Sequence, residues 1–130
     1  MILVDTSVWI DYLNGTVNQQ SNLLDDLLID GKVIIGDLIL LEILQGIKSD
    51  KQFIQVQSQL ALLEQYSLFG PEQVVKCADN YRTLRKKGVT IRKTNDVIIA
   101  SFCIEHEIPL LHADRGFLPF AVHLGLITIA

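Results

Sequence analysis

A chain of 130 residues that is 49% apolar and 20% charged has the size and composition of one folded domain spanning residues 1–130, and not of a disordered segment. Its uninterrupted apolar runs stop at four residues, as in Leu38 to Leu41, which excludes a helical membrane span. The net charge of −4 gives no footprint for nucleic acid over the surface as a whole, and Cys77 and Cys103, far apart, suggest no disulfide framework.

In chain order, "ILV" (Ile2 to Val4) reads as a short buried strand ending at Asp5. No basic segment precedes it, so no secretory leader is expected and the cytoplasm is the expected compartment. "TSVWIDYLNG" predicts a helix with Thr6 or Ser7 as N-cap and Asn14-Gly15 as its stop. "NLLDDLLIDG" places leucines at 23, 24, 27 and 28 on one helical face closed by Gly31. "KVIIGD" gives a second buried strand, Val33 to Ile35, after which Asp37 can cap the next helix. Residues 51 to 66 predict an amphipathic helix with Phe53, Val56, Leu60 and Leu63 on one side, and "SLFG" is a weak strand signal. Pro71 suits the first turn of a helix that closes at Gly88. "VTI" is ambiguous. "TNDVIIASFCIEHE" predicts a helix capped by Thr94 with Asp96 in its first turn. "IPLLHAD" predicts a third strand ending at Asp114, followed by a short helix and a terminal strand "LITIA". Buried aliphatic strands alternating with amphipathic helices indicate an α/β fold with a mainly parallel sheet.

The segment "LILLEILQGI" raises a chemical problem. Apolar residues at 38 to 41, 43 and 44 cover almost the whole circumference of a helix, so Glu42 is expected to be drawn inside with them. No Lys or Arg lies within a helical turn of it, and burying an unpaired carboxylate costs several kcal/mol. In open parallel sheets, ligands gather beyond the carboxyl ends of the strands. Asp5 follows the first strand, Asp114 follows the "PLLH" strand, Asp96 opens a helix at the same rim, and Glu42 leaves the second strand. Singly, Asp5 and Asp114 read as loop acids and Asp96 as a favourable charge at a helix N-terminus. Together they read as a set of hard oxygen donors for Mg²⁺ or Mn²⁺, since clustered carboxylates need a compensating cation. Such ions activate water and stabilise in-line displacement at phosphorus, which points to phosphodiester hydrolysis.

Other chemistries find less support. "HEIPL" is not H-E-x-x-H, because Leu110 holds the second histidine position, and His106, His112 and His123 make no zinc set. No G-x-S-x-G, P-loop or G-x-G-x-x-G occurs. The basic residues are concentrated: Arg82, Arg85, Lys86, Lys87, Arg92 and Lys93 place six of the eleven cations within twelve positions. On charge alone this strip is a solvated helix end; beside Asp96 it is also placed to track phosphates.

"MILVDTSVWIDYL", "LLEILQG", "YRTLRKKGVTIRKTNDVIIAS" and "LLHADRGF", in this order and spacing, resemble the PIN-domain ribonucleases, and most of all the VapC toxins of toxin–antitoxin pairs. The resemblance covers nearly the whole chain and is least diagnostic between Lys48 and Gly70. It implies a three-layer α/β/α sandwich, Mg²⁺- or Mn²⁺-dependent cleavage of RNA, a homodimer, and an antitoxin that wraps apolar helices and blocks an acidic pocket. It matches Asp5, Glu42, Asp96 and Asp114 to the family's catalytic, metal-binding acids, and Ser7 or Thr6 to the hydroxyl supporting the first Asp. It also favours a phosphate role for some of Arg82, Arg85, Arg92 and Lys93. The chain departs from the family's Thr-x-Asp-x-Asp-Phe at "HADRGF": His112 replaces the threonine and Gly116 the accessory acid, which leaves one or two ions open. Arg115 is placed either to contact phosphate or to screen the site. A degenerate PIN fold that binds RNA or a partner without cutting is the alternative.

Overall fold

In the computed structural model, which describes residues 1–129, seven helices surround a five-stranded, wholly parallel sheet. The strands are β1 (Ile2–Val4), β2 (Val33–Gly36), β3 (Glu64–Tyr66), β4 (Leu110–Leu111) and β5 (Thr128–Ile129). The helices are α1 (Thr6–Leu13), α2 (Gln19–Ile29), α3 (Asp37–Gln45), α4 (Asp50–Leu60), α5 (Val74–Lys86), α6 (Thr94–His106) and α7 (Leu118–Leu124), with 3-10 turns at Pro71–Gln73 and Arg115–Phe117. Ala130, the last residue of the expected terminal strand, lies outside the described residues.

The strand order is β3-β2-β1-β4-β5. The chain therefore builds outward from β1 to β2 and β3, then returns to the other side of β1 for β4 and β5. Leu3 registers with Ile34 of β2 and with Leu110 of β4. The point of reversal, between β1 and β4, is where such a sheet opens a crevice at its carboxyl edge. Leu3, Val4, Ile35, Leu110 and Leu111 are fully buried, as strands covered on both faces require. The helices pack among themselves in two sets, α1 with α2 and α3 and α3 with α4, and α5 with α6 and α7, giving the expected three-layer α/β/α architecture. In α6, Val97 to Cys103 are buried without interruption.

Several local expectations change. The cap of α1 is Asp5 itself, whose side chain accepts from Ser7 N–H, instead of Thr6 or Ser7. Lys93, not Thr94, precedes α6 as its cap residue. The helix expected through residue 66 stops at Leu60, and Glu64 to Tyr66 form the edge strand β3, while "SLFG" is irregular. Helix α3 is not buried all round. Ile39 and Ile43 enter the core, Leu41 is 56% exposed, and Glu42 is only half-buried. The reason is position: α3 packs against β2, α1 and α4 in an outer layer, which leaves one face open.

Candidate active site

Asp5 emerges from β1 at the point of reversal and is 5% exposed. Its backbone N–H donates to Leu111 O at 2.9 Å, which ties it to β4. Ser7 donates to Asp5 Oδ2 twice, from Oγ at 2.6 Å and from its backbone N–H at 3.3 Å. Burial raises the Asp5 pKa, the hydrogen bonds from Ser7 and Thr6 oppose this, and the charge of Glu42 adds to it.

Glu42 projects from α3 toward the same edge. Thr6 Oγ1 donates to Glu42 Oε1 at 2.7 Å and Asn95 Nδ2 donates to Oε2 at 3.2 Å. The two hydroxyls left open by the sequence are thus divided, Ser7 on Asp5 and Thr6 on Glu42. Asn95 was not singled out from the sequence. Its only signal is that it precedes Asp96 in the first turn of α6, where its amide crosses to the acid of another helix.

Asp96 carries the heaviest electrostatic load. Burial and then the charges of Asp5 and Asp114 push its pKa up to about 6, with Lys93 opposing and Glu42 adding. Asp114 is different: it caps the 3-10 turn, and Gly116 N–H donates to its Oδ1 at 2.8 Å. Lys93 Nζ approaches its Oδ2 at 3.4 Å. The Gly116 bond first, and Lys93 with it, hold the Asp114 carboxyl below the usual range despite partial burial.

Gly116 opens the space between these two acids. A β-carbon there would lie 3.2 Å from Asp114 Oδ1 and 3.4 Å from Asp96 Oδ2, so a side chain at that point would crowd both carboxylates. That point belongs to a cleft of about 270 Å³ lined by Val89 to Lys93, Asp96, Asp114, Gly116 and Pro119. Among the described residues, no three His, Cys, Asp or Glu side chains are grouped tightly enough to grip an ion unaided. The arrangement fits a hard divalent ion of the Mg²⁺ kind, which is commonly held by one or two carboxylates and completes its shell with water and phosphate oxygens. Asp96 and Asp114 would hold it, with Asp5 adjacent in charge.

The basic residues divide. Arg92 and Lys93 line the acidic cleft. Arg82 lines a neighbouring apolar groove with Phe69, Tyr81 and Val97, and Arg85 lies 5.6 Å from the centroid of the Tyr81 ring. Arg115 is exposed in the 3-10 turn after Asp114. His112 is buried against Phe117, ring centroids 5.2 Å apart, with neither nitrogen in a hydrogen bond among the described residues. Burial lowers its pKa against the opposing negative charges of Asp5 and Asp114.

The family profile of the PIN domain matches residues 2–122. The chain belongs to the PIN-domain family. Within it, this PIN domain is 29% identical over 119 residues to VapC ribonuclease Mb1587 of Mycobacterium bovis and to ribonuclease VapC11 of Mycobacterium tuberculosis, covering 90% of this chain and 89% of each relative. The fold is shared with solved structures at lower identity. A chain of VapBC2 from Rickettsia felis, bound to a DNA fragment from its promoter, superposes with a TM-score of 0.77 at 23% identity, covering 99% of this chain and 98% of that one. A chain of DNA-bound VapBC from Salmonella typhimurium gives 0.75 at 15% identity, covering 99% and 98%.

Proposed function

We propose that this PIN domain is a metal-dependent endoribonuclease of the VapC toxin class, hydrolysing RNA phosphodiester bonds and held in check by a cognate antitoxin. The observation that carries the reading is the convergence of Asp5, Asp96 and Asp114 on the carboxyl edge of the sheet at its point of reversal. Burial, and then the charges of Asp5 and Asp114, raise the Asp96 pKa to about 6. The 29% identity over 119 residues to proteins named ribonucleases supports the substrate class.

A Mg²⁺ or Mn²⁺ ion would lower the pKa of an attacking water and stabilise charge on the phosphate oxygens. The chain's own residues supply the rest. Asp96 and Asp114 line the cleft beside Gly116 and would hold the ion there. Ser7 fixes Asp5 in one orientation through two hydrogen bonds to a single oxygen. Glu42, oriented by Thr6 and Asn95, is placed to accept a proton from water at the rim. Arg92 and Lys93 would meet RNA phosphates entering the cleft, and the products would carry a 3′-hydroxyl and a 5′-phosphate. The apolar cleft between α1 and α3, lined by Ile10, Leu13, Ile43 and Ile47, suits an antitoxin segment, and a homodimer is the assembly expected of the class.

The test is cleavage of structured RNA by purified protein, with Mg²⁺ or with EDTA, beside Asp5→Asn and Asp96→Asn. Loss of cleavage in EDTA and in both variants is the expected result. Equal cleavage in every sample would identify a contaminant, and RNA binding without cleavage by the unaltered protein would assign a binding module instead.

A further inference from the structure

We propose that the apolar groove between α5 and α6 is a nucleobase subsite, which receives a base of the RNA strand whose phosphate lies in the acidic cleft, with Phe69 and Tyr81 as its stacking surfaces. The inference rests on the ribonuclease reading above and adds to it a place for the base. The groove has a volume of about 340 Å³, in the range of small-molecule sites. Its position ties it to the chemistry, because the first turns of α6 are the wall between groove and cleft. Lys93 and Asp96, three positions apart, line the cleft, while Thr94, Val97 and Ile98, at i, i+3 and i+4, line the groove. The groove therefore opens within one helical turn, about 5.4 Å along α6, of a carboxylate that would hold the ion.

The walls suit a base. Val97 and Ile98 are buried and supply apolar surface, while Phe69 and Val74 remain 43% and 49% exposed, left uncovered by the fold. Proteins that take up single strands lay unstacked bases on such aromatic side chains. No carboxylate lines the groove. Its one charged lining residue is Arg82, and Arg85 stands over the Tyr81 ring, 5.6 Å from the centroid. An apolar slot edged by cations matches a nucleotide, which joins a flat base with apolar faces to anionic phosphates. A second copy docked on this face about a two-fold axis would bring its own Arg82 to the same apolar contact, with no acid in the groove to answer either.

The test separates bases from phosphates. Labelled single-stranded oligoadenylate and an abasic ribose-phosphate chain of the same length are titrated with Asp5→Asn protein in Mn²⁺ and followed by fluorescence anisotropy. Oligoadenylate should bind about fivefold to a hundredfold more tightly, the span for stacking one base on an aromatic side chain. Adding Phe69→Ala or Tyr81→Leu should remove most of that difference and leave the abasic affinity unchanged. Tyr81→Phe keeps the ring and should keep the difference, with circular dichroism verifying that each variant is folded. Equal affinity for the two chains, or a difference that survives both substitutions, overturns the subsite and leaves the ribonuclease reading standing. Conversion of a dimer to a monomer by Phe69→Ala, read by light scattering, would assign the groove to a second copy and overturn the subsite as well. Binding of neither chain overturns the RNA reading together with this inference.

Discussion

Asp96 is the residue on which the cleft's electrostatics concentrate. Its folded-state pKa of about 6 stands above the ordinary 3.8 because it is partly buried and faces Asp5 and Asp114. Between those two values the folded protein binds more protons than the unfolded chain. The stability this group contributes is therefore fully present below about 3.8 and is lost as pH rises through about 6. Asp5, also raised by burial, acts in the same sense, while Asp114, lowered by Gly116 and Lys93, acts in the opposite one and loses its contribution on acidification. Melting of metal-free protein in EDTA from about pH 4 to about pH 7 should separate these. Asp96→Asn should melt higher than the unaltered protein at neutral pH, with the gap closing toward acid. Parallel profiles would mean that Asp96 is not strained by its neighbours. Added Mn²⁺ should reverse the order at neutral pH, because an ion that binds only the folded state stabilises it in proportion to its saturation.

At the scale of elements, the junction of β2 and α3 decides whether the rim is built correctly. Gly36 ends β2, and a β-carbon there would meet three side-chain carbons of Leu68 at 2.3, 2.4 and 2.6 Å. Leu68 is 1% exposed and fills the hollow that glycine leaves. Asp37 fixes this junction, its Oδ1 accepting from Leu38 N–H at 2.8 Å and from Leu68 N–H at 2.9 Å. Gly36→Ala should therefore destabilise the fold by about 1–3 kcal/mol in urea unfolding, the usual cost of overpacking. Adding Leu68→Ala should cost less than the sum of the two single changes; simple additivity would show that the contact is not the cause. This junction also shows where the sequence was legible. β1, β2 and α6 could be read because continuous aliphatic runs have one outlet, a covered sheet or a central helix. β3 could not, since "EQY" lies at the sheet edge with little apolar surface to bury, and its pattern merged with the end of α4. The burial of Glu42 was overread for a related reason: a helix apolar all round need not be covered all round when it lies in an outer layer, as Leu41 shows. The acids themselves were legible because each stands next to a strong strand or helix signal. Asn95 was not, since its partner lies 53 positions away and nothing local marks the crossing.

Over the whole molecule, strand order and charge distribution oppose and then reconcile each other. The reversal between β1 and β4 gathers Asp5 and Asp114 at one rim of a chain whose net charge is −4, a field that repels RNA. The cations that offset this field are carried on α5 and the approach to α6, with Arg92 and Lys93 inside the cleft and Arg82 and Arg85 farther along α5. If RNA reaches the acids along this strip, its affinity must depend on the few phosphates these side chains can neutralise. Each contact with a single strand contributes about −0.7 to the slope of log K against log salt. Two contacts in the cleft predict a slope of about −1.4, and engagement of Arg82 and Arg85 as well predicts about −2.8. Asp5→Asn, which should bind without cutting, is the form in which to measure this, by fluorescence anisotropy of a labelled single strand at fixed Mn²⁺. Removing Arg92 should flatten the slope by one contact. A slope near zero would mean that the strip does not touch the backbone, and a much steeper one would move the RNA onto cations elsewhere on the surface.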